Sequence, residues 1–526
     1  MKKFRYVAMA LMCVALHQIC SAAETSPCAT CHPKETAFYS KSAMGTSLIS
    51  PASLPPAHIT HGLSQSVITS QQRDGQMIHG IAERGLTAEY PVRYQIGGKL
   101  MGRTYMVQVG NYMFESPASY FKRYGWDLSP GYASKPIIDF DRPVDDACLF
   151  CHAGAARFAD PDGHRLKDTQ LTSITCDRCH GPSEAHVRQP SASNIVNPAK
   201  LPHAERDSVC EQCHLEGSTR ILNNGNQWTD FRAGQPAESI FATYILSGGI
   251  HTAVNAVNHV EQLGQSKCVR ASGGKLWCGS CHNPHGEAID RQREIKAVCI
   301  SCHVTLSAGV HPKPPDECTS CHMPSSATTD IPHAARTDHR LLRRPSEAAT
   351  VQPVEPEEVI AWREPPAESR NRDLGLAEVL VGISNNLPQI ASDGLQLLKA
   401  LPEKQTQQDP AVLSDFEGLA LQRHDLQEAL KLGLGTVELQ PKSAKAAMNL
   451  GIVLSRSGDS AEAETQLTQA ISLDLSLKQA YIELAKLYAG QGRTQDLNQT
   501  LDQFLKFNPQ DIMFRLQKQR AQSQSK

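Results

Sequence analysis

Seven short strings constrain this chain more than any other feature: CATCH (Cys28–His32), CLFCH (Cys148–His152), CDRCH (Cys176–His180), CEQCH (Cys210–His214), CGSCH (Cys278–His282), CISCH (Cys299–His303) and CTSCH (Cys318–His322). With 17 Cys and 21 His in 526 residues, chance supplies about 0.02 matches to Cys-x-x-Cys-His. Each string offers two thiols separated by two residues and an imidazole directly after the second. A zinc site needs two such pairs or distant histidines to reach four ligands. A disulfide framework belongs to short secreted chains. Neither explains a histidine after every pair.

The spacing fits covalent attachment of c-type haem. Each thiol adds to one vinyl group, and the adjacent imidazole lies under the iron. Cys28 and Cys31, Cys148 and Cys151, Cys176 and Cys179, Cys210 and Cys213, Cys278 and Cys281, Cys299 and Cys302, and Cys318 and Cys321 are therefore expected to hold seven haem c groups. His32, His152, His180, His214, His282, His303 and His322 are the expected proximal ligands. Haems at this density supply much of a core themselves, which accounts for an aromatic content of only 6%. The one cysteine outside a motif after the N-terminal segment, Cys268, reads as a buried free thiol.

The sixth ligand decides whether an iron relays electrons or binds substrate. His186 follows in CHGPSEAH, His285 in CHNPH, His259 in HVEQLGQSKC, and His333 and His339 in DIPHAARTDHR. These five are the histidines with local support as distal ligands.

The strings CHGPSEAH, SVCEQCH, HVEQLGQSKC, SGGKLWCGSCHNPH, CHMP and TDHR resemble those of exported multihaem cytochromes related to cytochrome c-554, in the variety ending in tetratricopeptide repeats. The resemblance implies distal histidines in two further segments. Here KSAMGTS and GGKLMGRTY place Met44 and Met101 at those positions, so His/Met ligation is implied for two haems. A thioether ligand raises the potential.

Residues 1–23 carry Lys2, Lys3 and Arg5, an apolar run, and Ser21-Ala22-Ala23. This reads as a secretory signal, and the chain is expected in the periplasm or otherwise exported, with no transmembrane anchor after cleavage. The formal net charge of −2 offers no basic field for nucleic acid.

The expected fold is mostly α with irregular loops. Residues 24–342 form a haem-packed cytochrome domain, whose attachment-free part, 33–147, contains a small β-hairpin. Residues 343–372 are a Pro-rich linker or wrapping strap. Residues 373–520 form an α-solenoid of tetratricopeptide repeats: Pro441, Leu475 and Pro509 recur every 34 residues, Gly451 and Ala485 take the small position, and Gly458 and Gly492 the turn.

The expected function is an electron relay between redox donor and acceptor proteins, with a repeat domain for docking or self-association. The alternative is a multihaem reductase or oxidase of a small nitrogen or sulfur compound at one open haem. His152 has the least obvious distal partner and is the first suspect for it.

Overall fold

In the computed structural model, residues 26–97, 102–247, 255–286, 291–303, 318–343 and 358–524 are described. The expected signal segment, 1–23, and Met101 lie outside them.

The attachment-free region is not a small hairpin. Its strands are β1 (Leu48–Ile49), β2 (Ala57–Thr60), β3 (Val67–Arg73), β4 (Gln76–Glu83), β5 (Leu86–Ile96), β6 (Gly102–Val109), β7 (Tyr112–Glu115), β8 (Ala118–Phe121), β9 (Gly125–Leu128) and β10 (Arg142–Pro143). They form one ten-stranded antiparallel sheet, with β10-β7-β6-β5-β4-β3-β2 as its main path. Asp74 and Gly75 both take positive φ (52° and 78°) between β3 and β4. That is the backbone a two-residue hairpin turn demands. A register shift between Val92 and Tyr94 interrupts the pairing of β5 with β6, and such bulges bend a sheet.

The sheet buries two faces. One holds Ile68, Ile81, Tyr90, Val92, Tyr105, Val107, Tyr132 and Phe140, together with Ile512 from the last helix of the chain. On the other, Tyr94, Met106 and Met113 pack on Leu149, within the helix Asp146–His152 that carries the second motif. The β region is thus the wall on which that motif is mounted.

Between Asp146 and His322 the described residues form short helices and loops, with strands Thr219–Leu222 and Phe241–Leu246 paired antiparallel. The expected linker is only partly one. Residues 344–357 lie outside the described set, but Val359–Ala361 is a third strand on Phe241–Leu246. Trp362 and Arg363 then reach Glu211 inside the fourth motif.

The solenoid begins at Arg370. Helices Arg370–Ser384 and Pro388–Lys399 form the first hairpin. Three more follow: Pro410–Gln422 with Leu426–Leu439, Ala444–Ser457 with Ser460–Leu473, and Lys478–Gly490 with Thr494–Phe507. Helix Ile512–Gln524 closes the array. Alanine and leucine at helical spacing give each hairpin an apolar seam, with Ala447, Leu450, Ala463, Leu467, Ala480, Tyr481 and Leu484 in one continuous core.

This solenoid is docked along one edge. Asp162 accepts from Ser443 Oγ and from the backbone N–H of Ala444, both at 2.7 Å. His164 meets Asp474, and the Leu475 N–H donates to Tyr112 Oη at 3.2 Å. Lys478 Nζ pairs with Asp139 at 2.9 Å, and Tyr90 Oη donates to Asn508 at 3.1 Å. Successive inter-repeat loops therefore land on the N-terminal region with the period of the repeat.

Candidate haem-binding site

The attachment motifs sit in single helical turns. The His N–H donates to the carbonyl of the first Cys at 2.8 Å for His32, 2.9 Å for His180 and His282, and 3.0 Å for His303. An i→i−4 bond of this kind puts residues i, i+3 and i+4 on one face. Both thiols and the imidazole of a motif then point the same way. In the second motif the Asp145 carboxylate accepts from Cys148 N at 3.0 Å and starts the turn.

These faces converge. A continuous cavity of about 3550 Å³ is lined by the histidine of every one of the seven motifs and by at least one thiol of each. Met44, His186, His259, His285, His333 and His339 line the same cavity. Thiols of different motifs lie close enough to act on one another electrostatically: Cys28 and Cys176, Cys151 and Cys213, Cys210 and Cys278, and Cys299 and Cys318. Among the described residues every cysteine is free.

Several imidazoles are held in one tautomer. His180 Nδ1 donates to the Val196 carbonyl at 2.8 Å, His322 Nδ1 to Leu342 at 2.6 Å, and His339 Nδ1 to Thr337 at 2.8 Å. His186 Nδ1 lies 3.0 Å from both the Ser191 carbonyl and Asn194 Oδ1. A ring that donates from Nδ1 keeps its lone pair on Nε2, which is how a metal-binding histidine is oriented. Burial lowers the pKa of His152, His214, His259 and His285, which favours the neutral ring that a metal requires.

Three ring pairs have the spacing of two axial ligands. An iron–nitrogen bond of about 2 Å on each side sets two ring centroids roughly 6 Å apart. His180 and His285 lie 5.9 Å apart with planes 8° from parallel. His282 and His339 are 6.1 Å apart, and His214 and His259 5.6 Å. Paired thiols, oriented neutral imidazoles and a shared cavity are a donor set that fits covalently held haem.

Two family models match within this region. Residues 133–181 match the one described as cytochrome c554 and c-prime. Residues 270–308 match a doubled CXXCH motif. The cytochrome region is multihaem and of c type. It binds haem c covalently through its CxxCH motifs. No curated protein matches the chain. Among solved structures it is similar to an Arabidopsis OM64 TPR domain at 15% identity, over 23% of this chain and 98% of that one, with a TM-score of 0.21. It is also similar to YrrB, a TPR protein with an unusual peptide-binding site, at 19% identity over 29% and 76% of the two chains, with a TM-score of 0.25. For a thermophilic TPR protein in Thermus thermophilus, the values are 20%, 28% and 80%, and 0.24.

Not every expected residue joins the cluster in the same way. His333 lines the cavity, but its Nε2 pairs with Asp127 at 2.7 Å and its ring stacks on Tyr124 at 3.6 Å. Met44 sits in the turn after helix Pro33–Tyr39. That turn is tied to the second motif, because Ser47 Oγ donates to the His152 carbonyl at 2.9 Å. Cys268 is exposed, not buried, with its Sγ 3.0 Å from Ser266 Oγ; it sits on a short helix, Lys267–Ala271, and lines the shared cavity with the motif thiols. Sequence reasoning missed the residues inside the motifs. Arg178 Nη2 donates to the Phe150 carbonyl at 2.8 Å, and Gln212 Nε2 to the Arg178 carbonyl at 3.2 Å. All three occupy the x positions of motifs two, three and four, which carry no signal in a lone sequence.

Proposed function

We propose that the protein is an exported heptahaem cytochrome that relays electrons between redox partners. The observation that carries the reading is the convergence of all seven motif histidines and six distal candidates on one cavity. When bound, each haem supplies one-electron Fe(III)/Fe(II) chemistry with fixed ligands. Cys28, Cys31, Cys148, Cys151, Cys176, Cys179, Cys210, Cys213, Cys278, Cys281, Cys299, Cys302, Cys318 and Cys321 are the attachment points.

His180 pairs with His285, His214 with His259, and His282 with His339 in this reading, on the centroid spacings above. Met44, Met101, His186 and His333 serve the irons of the other four motifs, and His333 must release Asp127 to do so. Val196, Leu342 and Thr337 hold rings through their carbonyls, which keeps each imidazole from turning during oxidation and reduction. The neighbouring thiol pairs link motif one to three, two to four, four to five and six to seven. Cys281 is within electrostatic reach of Cys299, which bridges five to six.

Among the described residues no helix is long and apolar enough to cross a membrane. Export rests on the signal-like residues 1–23. Partner docking rests on the solenoid surfaces that the N-terminal region leaves free.

A second reading has one observation in its favour. Among the described residues His180, His214 and His282 each have an imidazole against them, while His152, like His32 and His303, has none, so His152 is one of three candidates for an open position. An open second haem would allow reduction of a small nitrogen or sulfur compound. One experiment separates the two readings. The oxidised, haem-loaded chain is quantified for haem and examined by low-temperature EPR. Seven low-spin haems support the relay, and a high-spin ferric signal of one haem overturns full ligation. A change in that signal in a His152→Met variant would assign it to the second motif.

A further inference from the structure

The second, third and fourth motifs meet at two arginines. Arg178, inside CDRCH, donates to the Phe150 carbonyl inside CLFCH at 2.8 Å. Its guanidinium carbon lies 4.4 Å from the centre of the Phe150 ring. Arg220, on the strand Thr219–Leu222, donates to the Gln212 carbonyl inside CEQCH at 2.9 Å, to the Glu211 carbonyl at 3.2 Å, and to that of Leu215. It lies 5.3 Å from the Phe241 ring. The Cys151 thiol, 3.6 Å from the Gln212 carbonyl, closes the junction between the second and fourth motifs.

These charges sit in apolar surroundings. Phe150, Phe231, Ile240 and Phe241 form one buried cluster beneath them, with Cys151 packed against it. Both arginines spend N–H groups on carbonyls, and among the described residues neither forms an ion pair. Arg220 Nε is buried without a partner. A cation in such a medium acts over a longer range than in water.

We propose that Arg178 and Arg220 form a shared cationic clamp that raises the reduction potentials of the second, third and fourth haems and fixes their motifs in one unit. The proposal rests on the relay reading above. Adding an electron places negative charge beside two cations, so reduction is favoured. Neither residue is an iron ligand. Each acts through the motif turns it binds and through its charge.

The test uses the full, haem-loaded chain. Haem per chain and the visible redox titration are compared for wild type, Arg178→Gln, Arg178→Lys and Arg220→Gln. Each Gln variant is expected to hold wild-type haem. Each shifts at least two components of the titration downward by about tenfold in the reduction equilibrium, or 59 mV for one electron. Arg178→Lys, which keeps the charge, recovers most of the shift. A haem-replete Arg178→Gln protein whose titration superimposes on wild type overturns the proposal. If Arg178→Gln loses haem, Arg220→Gln decides in the same way. Loss of haem from both Gln variants also overturns it, because a structural role alone then accounts for both residues. A wild-type chain without covalent haem would instead sink the underlying reading.

Discussion

His164 Nδ1 and Asp474 Oδ2 meet at 3.0 Å with side chains only 7% and 2% exposed. The pair joins a loop of the cytochrome region to an inter-repeat loop of the solenoid. Burial alone would raise the Asp474 pKa, but bonds from His164 and Ser476 outweigh it and hold the carboxyl below its usual value. A depressed carboxyl stabilises the fold above its unfolded pKa, and that contribution is lost as pH falls through the folded value. Asp474→Asn is expected to cost about 3 kcal/mol at neutral pH, the typical loss when one member of a buried pair is removed. Urea unfolding from pH 7 to pH 3 checks this. The gap between wild type and variant should close towards the acid end, and a gap that stays constant would disprove the assignment.

The same edge determines what truncation does. A pendant repeat domain would be removable without consequence. Here Ile512 is part of the β-sheet core, with Phe507 and Leu516 against it, and Tyr112 contacts Phe507 edge-on at 5.4 Å. Deleting residues 374–526 uncovers that apolar face and strips Asp139, Tyr90 and His164 of their partners. The truncated chain is expected to unfold at a clearly lower temperature and to be cut by protease within the sheet. An unchanged melting temperature would show that the docking contributes nothing.

The local parts of this fold were legible in the sequence, and the non-local parts were not. A CxxCH string encodes its own helical turn because i, i+3 and i+4 are neighbours on a helix. The 34-residue period showed in Pro441, Leu475 and Pro509. The repeat formed by Pro410–Gln422 and Leu426–Leu439 was harder to see, because His424, with φ at 58°, stands where Gly458 and Gly492 make the turn in the later repeats. The sheet escaped because β3, with the sequence VITSQQR, turns polar after three residues and hides its alternation. Asp74-Gly75 was the available signal. The pairing of His180 with His285 joins residues far apart in the chain, and no spacing rule reports such a contact.

Arg363 tests whether the described end of the linker matters to the fourth motif. Its guanidinium pairs with Glu211 and, at 2.9 Å, with Glu238. Glu211 is 5% exposed. Burial pushes its pKa up to about 7 even with Arg363 opposing the rise. Arg363→Met removes the only arginine bound to the Glu211 carboxylate among the described residues. The cost is expected to be roughly 3 kcal/mol. A Glu211→Gln companion should recover part of that, because no charge is then left buried. Thermal unfolding of the two single variants and the double variant measures the coupling, and additive effects would show that the strap and the motif act independently.

Glu417 occupies the position that Gly451 and Ala485 fill in the later repeats. Opposite it stands Gly433, where those repeats have Leu467 and Leu501. Large and small have changed places, and a Cβ on Gly433 would come within 2.9 Å of Glu417 Oε1. The carboxyl is 1% exposed, and neither oxygen has a partner. Burial pushes its pKa up to about 7. A raised carboxyl takes up a proton on folding between about pH 4.5 and 7. Its contribution is therefore intact below that window and lost as pH rises through it. Glu417→Gln should match wild type near pH 5 and exceed it at pH 8 by on the order of 2 kcal/mol. Glu378 and Asp415 are raised by burial as well, so the variant keeps a shallower slope of the same sign. Urea unfolding at the two pH values decides the matter, and a Gln variant no more stable than wild type at pH 8 would mean that Glu417 is charged and partnered in the folded chain.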